Sequence, residues 1–332
     1  MPAEFVPPYP YRFPEPPPEW RRLWVGRKNF VAMWEESAFE LEFSTSRVLM
    51  RQTFLCNSPD SVRFAFNVHN SRLERKAPQT RHARAPSIGH GLFISDGPLW
   101  KGRRKMIAPI IHQTRLSQFA PVMVETIVET RDRWAALAAP KIDALSEMAH
   151  LTAEVIARTI FGRELGRAYT GDVVEGFSDY QKTIGQIDLI SLLGLPEWMP
   201  RFYGPRVRRA QRRIHAVLDG IVESITARRS AGDDSLLAQL LDAKDADTGE
   251  ALTDEAVRNE AAVLFMAGHE TTANTLTWVW YLLSQTPDIE ARVHAEVDAV
   301  LGGRLPTLAD VPKLVFTRAV IDETRRLYPP VP

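Results

Sequence analysis

The run Leu264-Phe265-Met266-Ala267-Gly268-His269-Glu270-Thr271-Thr272 holds the residue types best suited to chemistry, and it lies inside a long apolar helical pattern. Several of its members are costly there. Gly268 in mid-helix costs about 1 kcal/mol relative to alanine. Glu270 puts a carboxylate in an apolar stretch, where a charge is expensive unless paired or hydrated. Thr271 and Thr272 are β-branched, and their hydroxyls can bond back to carbonyls one turn earlier. Together they predict a local widening of the helix, with a carbonyl, a hydroxyl and a carboxyl facing one spot. Such a groove can hold water and relay protons. Each residue alone also fits a buried helix with an incidental glycine and a solvent-facing His269-Glu270 pair.

Two other spacings point to charged recognition. Glu323 and Arg326 stand three apart and share a helix face, as an ion pair would. Trp100 and Arg104 stand four apart and face the same way. Arginine suits a carboxylate through two parallel hydrogen bonds, and tryptophan offers one N–H donor. The plain alternative is an amphipathic basic helix with Trp100 in the core. Cys56, the one cysteine, follows a strand signal and has no flanking glycines. It reads as a small buried hydrophobe rather than a metal ligand.

The elements that must position these groups are nearly all helical. Residues 1–38 are rich in proline and read as an extended surface arm. Residues 39–57 fit two short strands, one ending at 54–56. Ser58 and Pro59 then open a helix running to about residue 67, followed by loop residues over 71–88. Further helices are expected over 100–110, 118–137, 142–161 (closed by Gly162), 172–184, 205–229 and 235–241. Arg206, Arg208, Arg209, Arg212 and Arg213 make the 205–229 helix basic on one side: a solvated face or a landing patch for an acidic redox partner. Thr253 caps a helix that runs to about Gln285, roughly 48 Å long, which must cross the centre of the molecule. Pro287 starts the next, ending at Gly302-Gly303. The last begins near Val311 and stops at Tyr328-Pro329-Pro330.

Composition excludes several classes. The formal net charge is +0, so nothing argues for nucleic acid as a partner. One cysteine closes no intrachain disulfide and suits a reducing compartment. No apolar run is long enough for a transmembrane anchor, and the N-terminus lacks the pattern of a secretory signal. A zinc-protease reading of His269-Glu270 fails because position 273 is Ala273. There is no Gly-x-Ser-x-Gly elbow and no glycine-rich phosphate loop.

The run Ala267-Gly268-His269-Glu270-Thr271-Thr272 resembles the oxygen-binding helix of cytochromes P-450, whose pattern is Ala/Gly-Gly-x-Asp/Glu-Thr-Thr/Ser. Glu323-Thr324-Arg325-Arg326-Leu327-Tyr328-Pro329-Pro330 is similar to the family's Glu-x-x-Arg segment. The stretch from Gly91 to Arg104 resembles the one leading into its Trp/His-x-x-x-Arg helix. The resemblance covers residues 39–332. It implies a mainly α fold with a small β-sheet region: an N-terminal arm, 1–38, and a partial catalytic domain, 39–332. It implies heme b (iron protoporphyrin IX), with Trp100, Arg104, Ala267, Gly268 and Thr271 as cofactor-binding residues and Glu270, Thr271 and Thr272 as catalytic ones. Glu323 and Arg326 become a buried structural pair, and Leu264 and Phe265 line the substrate. The expected activity is insertion of one atom of O₂ into a small apolar substrate by a monomeric, cytoplasmic enzyme served by a soluble ferredoxin or flavoprotein reductase. The family's ligating cysteine loop comes after the Glu-x-x-Arg helix, and the chain stops at Pro332 before it, so the chain reads as a fragment without its metal ligand. The alternative is a non-catalytic helical remnant binding apolar ligands or partners without heme.

Overall fold

The computed structural model describes residues 5–163 apart from 27, 28, 74, 139 and 140; residues 171, 174, 176, 177 and 180; 189–196; 204–227; and 235–331 apart from 246 and 247. In chain order the elements are α1 (Glu19–Gly26), α2 (Ser37–Glu40), β1 (Phe43–Val48), β2 (Arg51–Cys56), α3 (Pro59–Arg63), α4 (Asn70–Leu73), α5 (Pro78–Ile88), α6 (Gly97–Ile107), α7 (Leu116–Ala135), α8 (Ala144–Phe161), α9 (Leu189–Leu192), α10 (Pro205–Ala227), α11 (Leu236–Asp242), α12 (Asp254–Gln285), α13 (Pro287–Leu301) and α14 (Val315–Leu327). The fold is mainly helical, and the one sheet among the described residues is the antiparallel pair β1–β2.

Local chemistry sets several boundaries. Ser58, Asp143, Ser235 and Thr253 each accept a hydrogen bond from the backbone N–H three residues on, which satisfies an orphan donor at a helix start. Gly162 (φ +84°) closes α8 and Gly302 (φ +56°) closes α13, conformations that glycine adopts without a Cβ penalty. The helix expected from Val311 starts later. Pro312 lies in a 3₁₀ turn over Leu308–Lys313, and the α-helix begins at Val315. The helix expected over 172–184 falls largely outside the described residues.

The chain divides into two compact units. One comprises residues 8–103 with 178–213. Here the N-terminal segment is extended only up to Pro18. Beyond it α1 sends Arg22, 4% exposed, to Ser46 Oγ (3.0 Å), the Arg47 carbonyl (3.2 Å) and Glu35 Oε2 (3.4 Å). Met33, Trp34, Ala38 and Val48 bury together with Leu23, Leu55 and Leu192 against them. The reading of an arm lying on the surface is therefore corrected after residue 18: the prolines stop there, and Trp-Arg-Arg-Leu-Trp forms a helix with its own core. Residues 71–88 are likewise largely helical (α4 and α5), not loop.

The other unit comprises residues 1–7, 104–177 and 214–332. Its centre is the packing of α8 along α12. α8 buries Met148, Thr152, Ala153, Ala157, Ile160 and Phe161, and α12 buries Val257, Ala261, Ala262, Phe265, Met266 and Ala273. Small residues on both sides let the helix axes come close. Buried charge ties α7 on: the Arg158 side chain, 2% exposed, bonds Glu129 of α7 and Glu154 of its own helix. Burial disfavours that guanidinium, yet the two carboxylates outweigh it and hold its pKa above the usual arginine range. In the part of α10 that belongs to this unit, Ile214, Leu218, Ile221, Val222 and Ile225 form the buried stripe; in the part that belongs to the first unit, Arg206, Arg208, Arg209 and Arg212 are exposed. Glu296 of α13 accepts from the backbone N–H of Phe316 (2.7 Å) and Thr317 (2.8 Å), capping the start of α14.

Arg158→Ala leaves two partly buried carboxylates without their cation. It should cost about 3 kcal/mol in urea denaturation, far more than loss of a surface pair.

Candidate functional site

α12 is α-helical without a break from Asp254 to Gln285, a run of 32 residues. The widening expected around the glycine and threonines is absent. The threonine back-bond is present: Thr271 Oγ1 donates to the Ala267 carbonyl at 2.6 Å, and Thr275 Oγ1 to the Thr271 carbonyl at 2.9 Å. The hydroxyl is absorbed into the helix surface rather than prying the ladder open.

Each residue turns the helix by about 100°, so neighbours in the run face different ways. Gly268 and His269 face α8. A Cβ on Gly268 would stand 2.8 Å from Ile156 Cδ1 and 2.9 Å from its Cγ1, contacts that real side chains do not make. The glycine thus serves helix packing, which explains its cost. Ala267 and Thr271 lie on the opposite side, Ala267 exposed and Thr271 half-buried. Glu270 is half-buried and engaged in interactions of its own. Thr272 is exposed and Leu264 half-buried. Ala267, Glu270 and Thr271 therefore come together on one side of α12, away from α8.

Phe265 does not join them. It has 0% exposure, and its ring stacks near Phe161 (6.5 Å), Phe177 (5.4 Å) and His269 (5.6 Å). The substrate-lining expectation for Phe265 is corrected: a side chain with no free surface lines nothing.

Glu323 and Arg326 pair side-on through two 2.7 Å hydrogen bonds on α14. The Arg326 hydrogen bond holds the Glu323 carboxyl below its usual range. Both side chains are more than half exposed, 55% and 67%, so the expected burial is not present. Just beyond, Tyr328 stacks flat on Trp278 of α12, centroids 3.8 Å apart. Trp100 and Arg104 sit one turn apart on α6, Trp100 half-buried with Lys76 Nζ 5.9 Å from its ring centre, Arg104 exposed. Asp96 steadies the start of α6: it accepts from the Lys76 backbone N–H at 2.9 Å and pairs with Arg81 at 2.6 Å.

Two residues escaped the sequence reading. His269 occupies the variable position of the run, yet 262, 265, 269 and 273 recur at helical spacing on the buried side, a signal that was available. Its Nε2 is buried without a hydrogen-bond partner among the described residues. Burial lowers its pKa below the ordinary value of 6.5, partly offset by Glu270 and by the nearby Ala149 backbone. Thr152 of α8, whose Oγ1 lies 3.1 Å from the His269 carbonyl, carries no sequence signal.

Gly268→Ala should cost about 1–2 kcal/mol, because overpacking against Ile156 outweighs the gain in helix propensity. In an Ile156→Ala background the same change should cost less, a coupling that a denaturation cycle measures. His269 titrates with the opposite sign to a paired histidine. Its folded form prefers the neutral ring, so its contribution is intact above the unfolded value near 6.5 and declines as pH falls toward the lowered folded value. Between about pH 7.5 and about pH 5.5 the wild-type urea midpoint should fall more than that of His269→Phe.

The cytochrome P-450 family pattern matches residues 16–332, so the later part of the supposed arm lies within it. Cyclooctatin synthase of Streptomyces melanosporofaciens is 33% identical over 268 residues, covering 79% of this chain and 56% of that protein. Cyclooctat-9-en-7-ol 5-monooxygenase of the same organism is 34% identical over 252 residues, 73% of this chain and 52% of that one. Pentalenene oxygenase of Streptomyces avermitilis is 30% identical over 244 residues, 73% and 53%. The chain spans about half the length of these relatives. A match that runs through both compact units, from residue 16 to residue 332, covers far more than the short motifs on α6, α12 and α14: the chain belongs to the cytochrome P-450 family.

Proposed function

We propose that this chain serves a heme-dependent monooxygenase that inserts one atom of O₂ into a small apolar organic substrate. The observation that carries this reading is the side of α12 turned away from α8. There the Ala267 methyl is exposed and the Thr271 hydroxyl is folded back onto the Ala267 carbonyl. Those two positions offer a shallow surface suited to a planar macrocycle. The family's cofactor is heme b, which when bound supplies the oxygen-activating chemistry.

The chain's own residues then have distinct tasks. Glu270, with Thr271 and Thr272 beside it, holds and passes protons, a positioned acid–base role. The Trp100 N–H and the Arg104 guanidinium hold the propionates, arginine by charge-assisted hydrogen bonds. Gly268 lets α12 sit close to α8 and so sets the height of the cofactor face. Leu264 borders the substrate, and the Glu323–Arg326 pair steadies the region of the iron ligand. The names pentalenene oxygenase and cyclooctat-9-en-7-ol 5-monooxygenase support an apolar substrate. A soluble electron donor (a ferredoxin or flavoprotein reductase), a monomeric state and a cytoplasmic location belong to the same reading. The single cysteine agrees with a reducing compartment.

The competing reading is a helical protein that binds apolar ligands or partners without heme. It draws on Cys56, the one cysteine, which ends β2 and has no flanking glycines. Hemin titration separates the two, read by tryptophan quenching and by the Soret band. Saturable binding should weaken by about tenfold or more in Ala267→Leu, with unchanged far-UV circular dichroism. Equal affinity in wild type and Ala267→Leu would remove the α12 surface from the account.

A further inference from the structure

We infer that Thr152 of α8 is a positioning residue for the reaction: its hydroxyl fixes the roll of α12 at the turn that carries Glu270 and Thr271. This rests on the monooxygenase reading above.

The His269 carbonyl has its ordinary ladder donor four residues on, at Ala273. It also has a second neighbour, Thr152 Oγ1, at 3.1 Å. The same hydroxyl lies 2.8 Å from the Met148 carbonyl and 3.3 Å from the Ala149 carbonyl of its own helix. A hydroxyl has one hydrogen, so here it is shared between the Met148 carbonyl, the nearest acceptor, and the His269 carbonyl. A threonine inside a lone helix would give that hydrogen to its own preceding turn, as Thr126 does to Val122 and Thr159 to Val155. Thr152 alone among these also reaches a carbonyl on another helix. It is 6% exposed, so no bulk water competes for the bond.

Two contacts beside it turn this bond into a rotational stop. One turn further along α8, Ile156 sits against the backbone of Gly268. One turn back, Ala149 presents its backbone to the His269 ring. The charged and titratable groups of α8 nearby, Glu147, His150 and Glu154, are engaged with Arg133, Trp134 and Arg158 or are exposed. Among the described side chains of α8 at this turn, the polar contact with α12 is that of Thr152, beside the Ala149 backbone contact with the His269 ring.

The next two residues on α12 are Glu270 and Thr271. A side-chain oxygen about 5 Å from the helix axis moves about 0.9 Å when the helix rolls by about 10°. A displacement near 1 Å at a reacting group can cost on the order of a hundredfold in rate. Holding the roll is thus worth far more to chemistry than one hydrogen bond is worth to stability.

The test compares wild type, Thr152→Val, which keeps the shape and removes the hydroxyl, and Thr152→Ser, which restores it. Amide hydrogen exchange in the 332-residue chain is the first readout. Thr152→Val should speed exchange over 268–274 by about tenfold while leaving 276–285 unchanged, and Thr152→Ser should reverse this. The second readout is product formed per electron pair in the full-length heme-loaded protein, which carries the ligating loop, with its reductase; it should fall in Thr152→Val at unchanged KM and recover in Thr152→Ser. Exchange that is unchanged, or raised evenly along α12, overturns the inference, and so does local loosening with no change in coupling. Should the full-length loaded wild type oxygenate nothing, the monooxygenase reading fails, and the exchange pattern still decides whether Thr152 holds the turn.

Discussion

α8 and α12 meet closely where a side chain is missing. At Gly268 a Cβ would overlap Ile156, so α12 lies against its neighbour backbone-first. Everything else at the candidate site follows from that contact. It faces His269 inward and turns Ala267 and Thr271 outward, because consecutive residues are about 100° apart. It also removes freedom. An apolar interface of alanines alone permits sliding and rolling, whereas a side chain seated over one particular backbone atom does not. The buried ring system of Phe161, Phe177, Phe265 and His269 closes the space behind.

Much of this was legible in the chain itself, for reasons that are local. Thr253 and Ser58 announce helix starts because their side chains satisfy nearby N–H groups, and Gly162 and Gly302 announce ends because φ is positive there. The price of Gly268 was legible too; its cause was not, since Ile156 lies 112 positions earlier (268 − 156). Phe265 was misplaced for a related reason. The middle of α12 is apolar on most of its circumference, so periodicity cannot say which face meets a neighbour and which meets a ligand. The arm failed differently: proline content dominated residues 1–18 and hid a helix whose Arg22 is among the most buried charges described.

Charge burial separates the parts of the fold that are fixed from those that are not. Arg22 and Arg158 are enclosed and multiply bonded, each at a junction between elements distant in sequence. Such groups tolerate no partial unfolding, because an unpaired charge is left behind. Glu323 and Arg326 are as well matched in geometry but stand in solvent, where the same two hydrogen bonds are screened and worth little. Helical spacing in the sequence pointed to the Glu323–Arg326 pair and not to Arg22–Glu35 or Arg158–Glu129. Burial, set by what packs over them, makes the difference.

Thr271 shows how a packing detail constrains proton chemistry. Its only hydrogen is committed to the Ala267 carbonyl at 2.6 Å. What the hydroxyl offers on the accessible side of α12 is therefore lone pairs, an acceptor and not a donor. For Thr271 to give a proton outward, its hydrogen must rotate away from the carbonyl, or another proton must reach its oxygen first. Glu270 is adjacent in the chain and half-buried on the same side of the helix, and is the nearest acid in sequence. In the proposed reaction the carboxyl would supply the proton, the hydroxyl would receive and release it, and the Ala267 carbonyl would reclaim the hydrogen afterwards. A side chain of the same shape without the hydroxyl would fill the space and break the sequence of transfers. The residue type at 271 suits the proposed proton transfer, as the residue type at 268 suits the packing against Ile156.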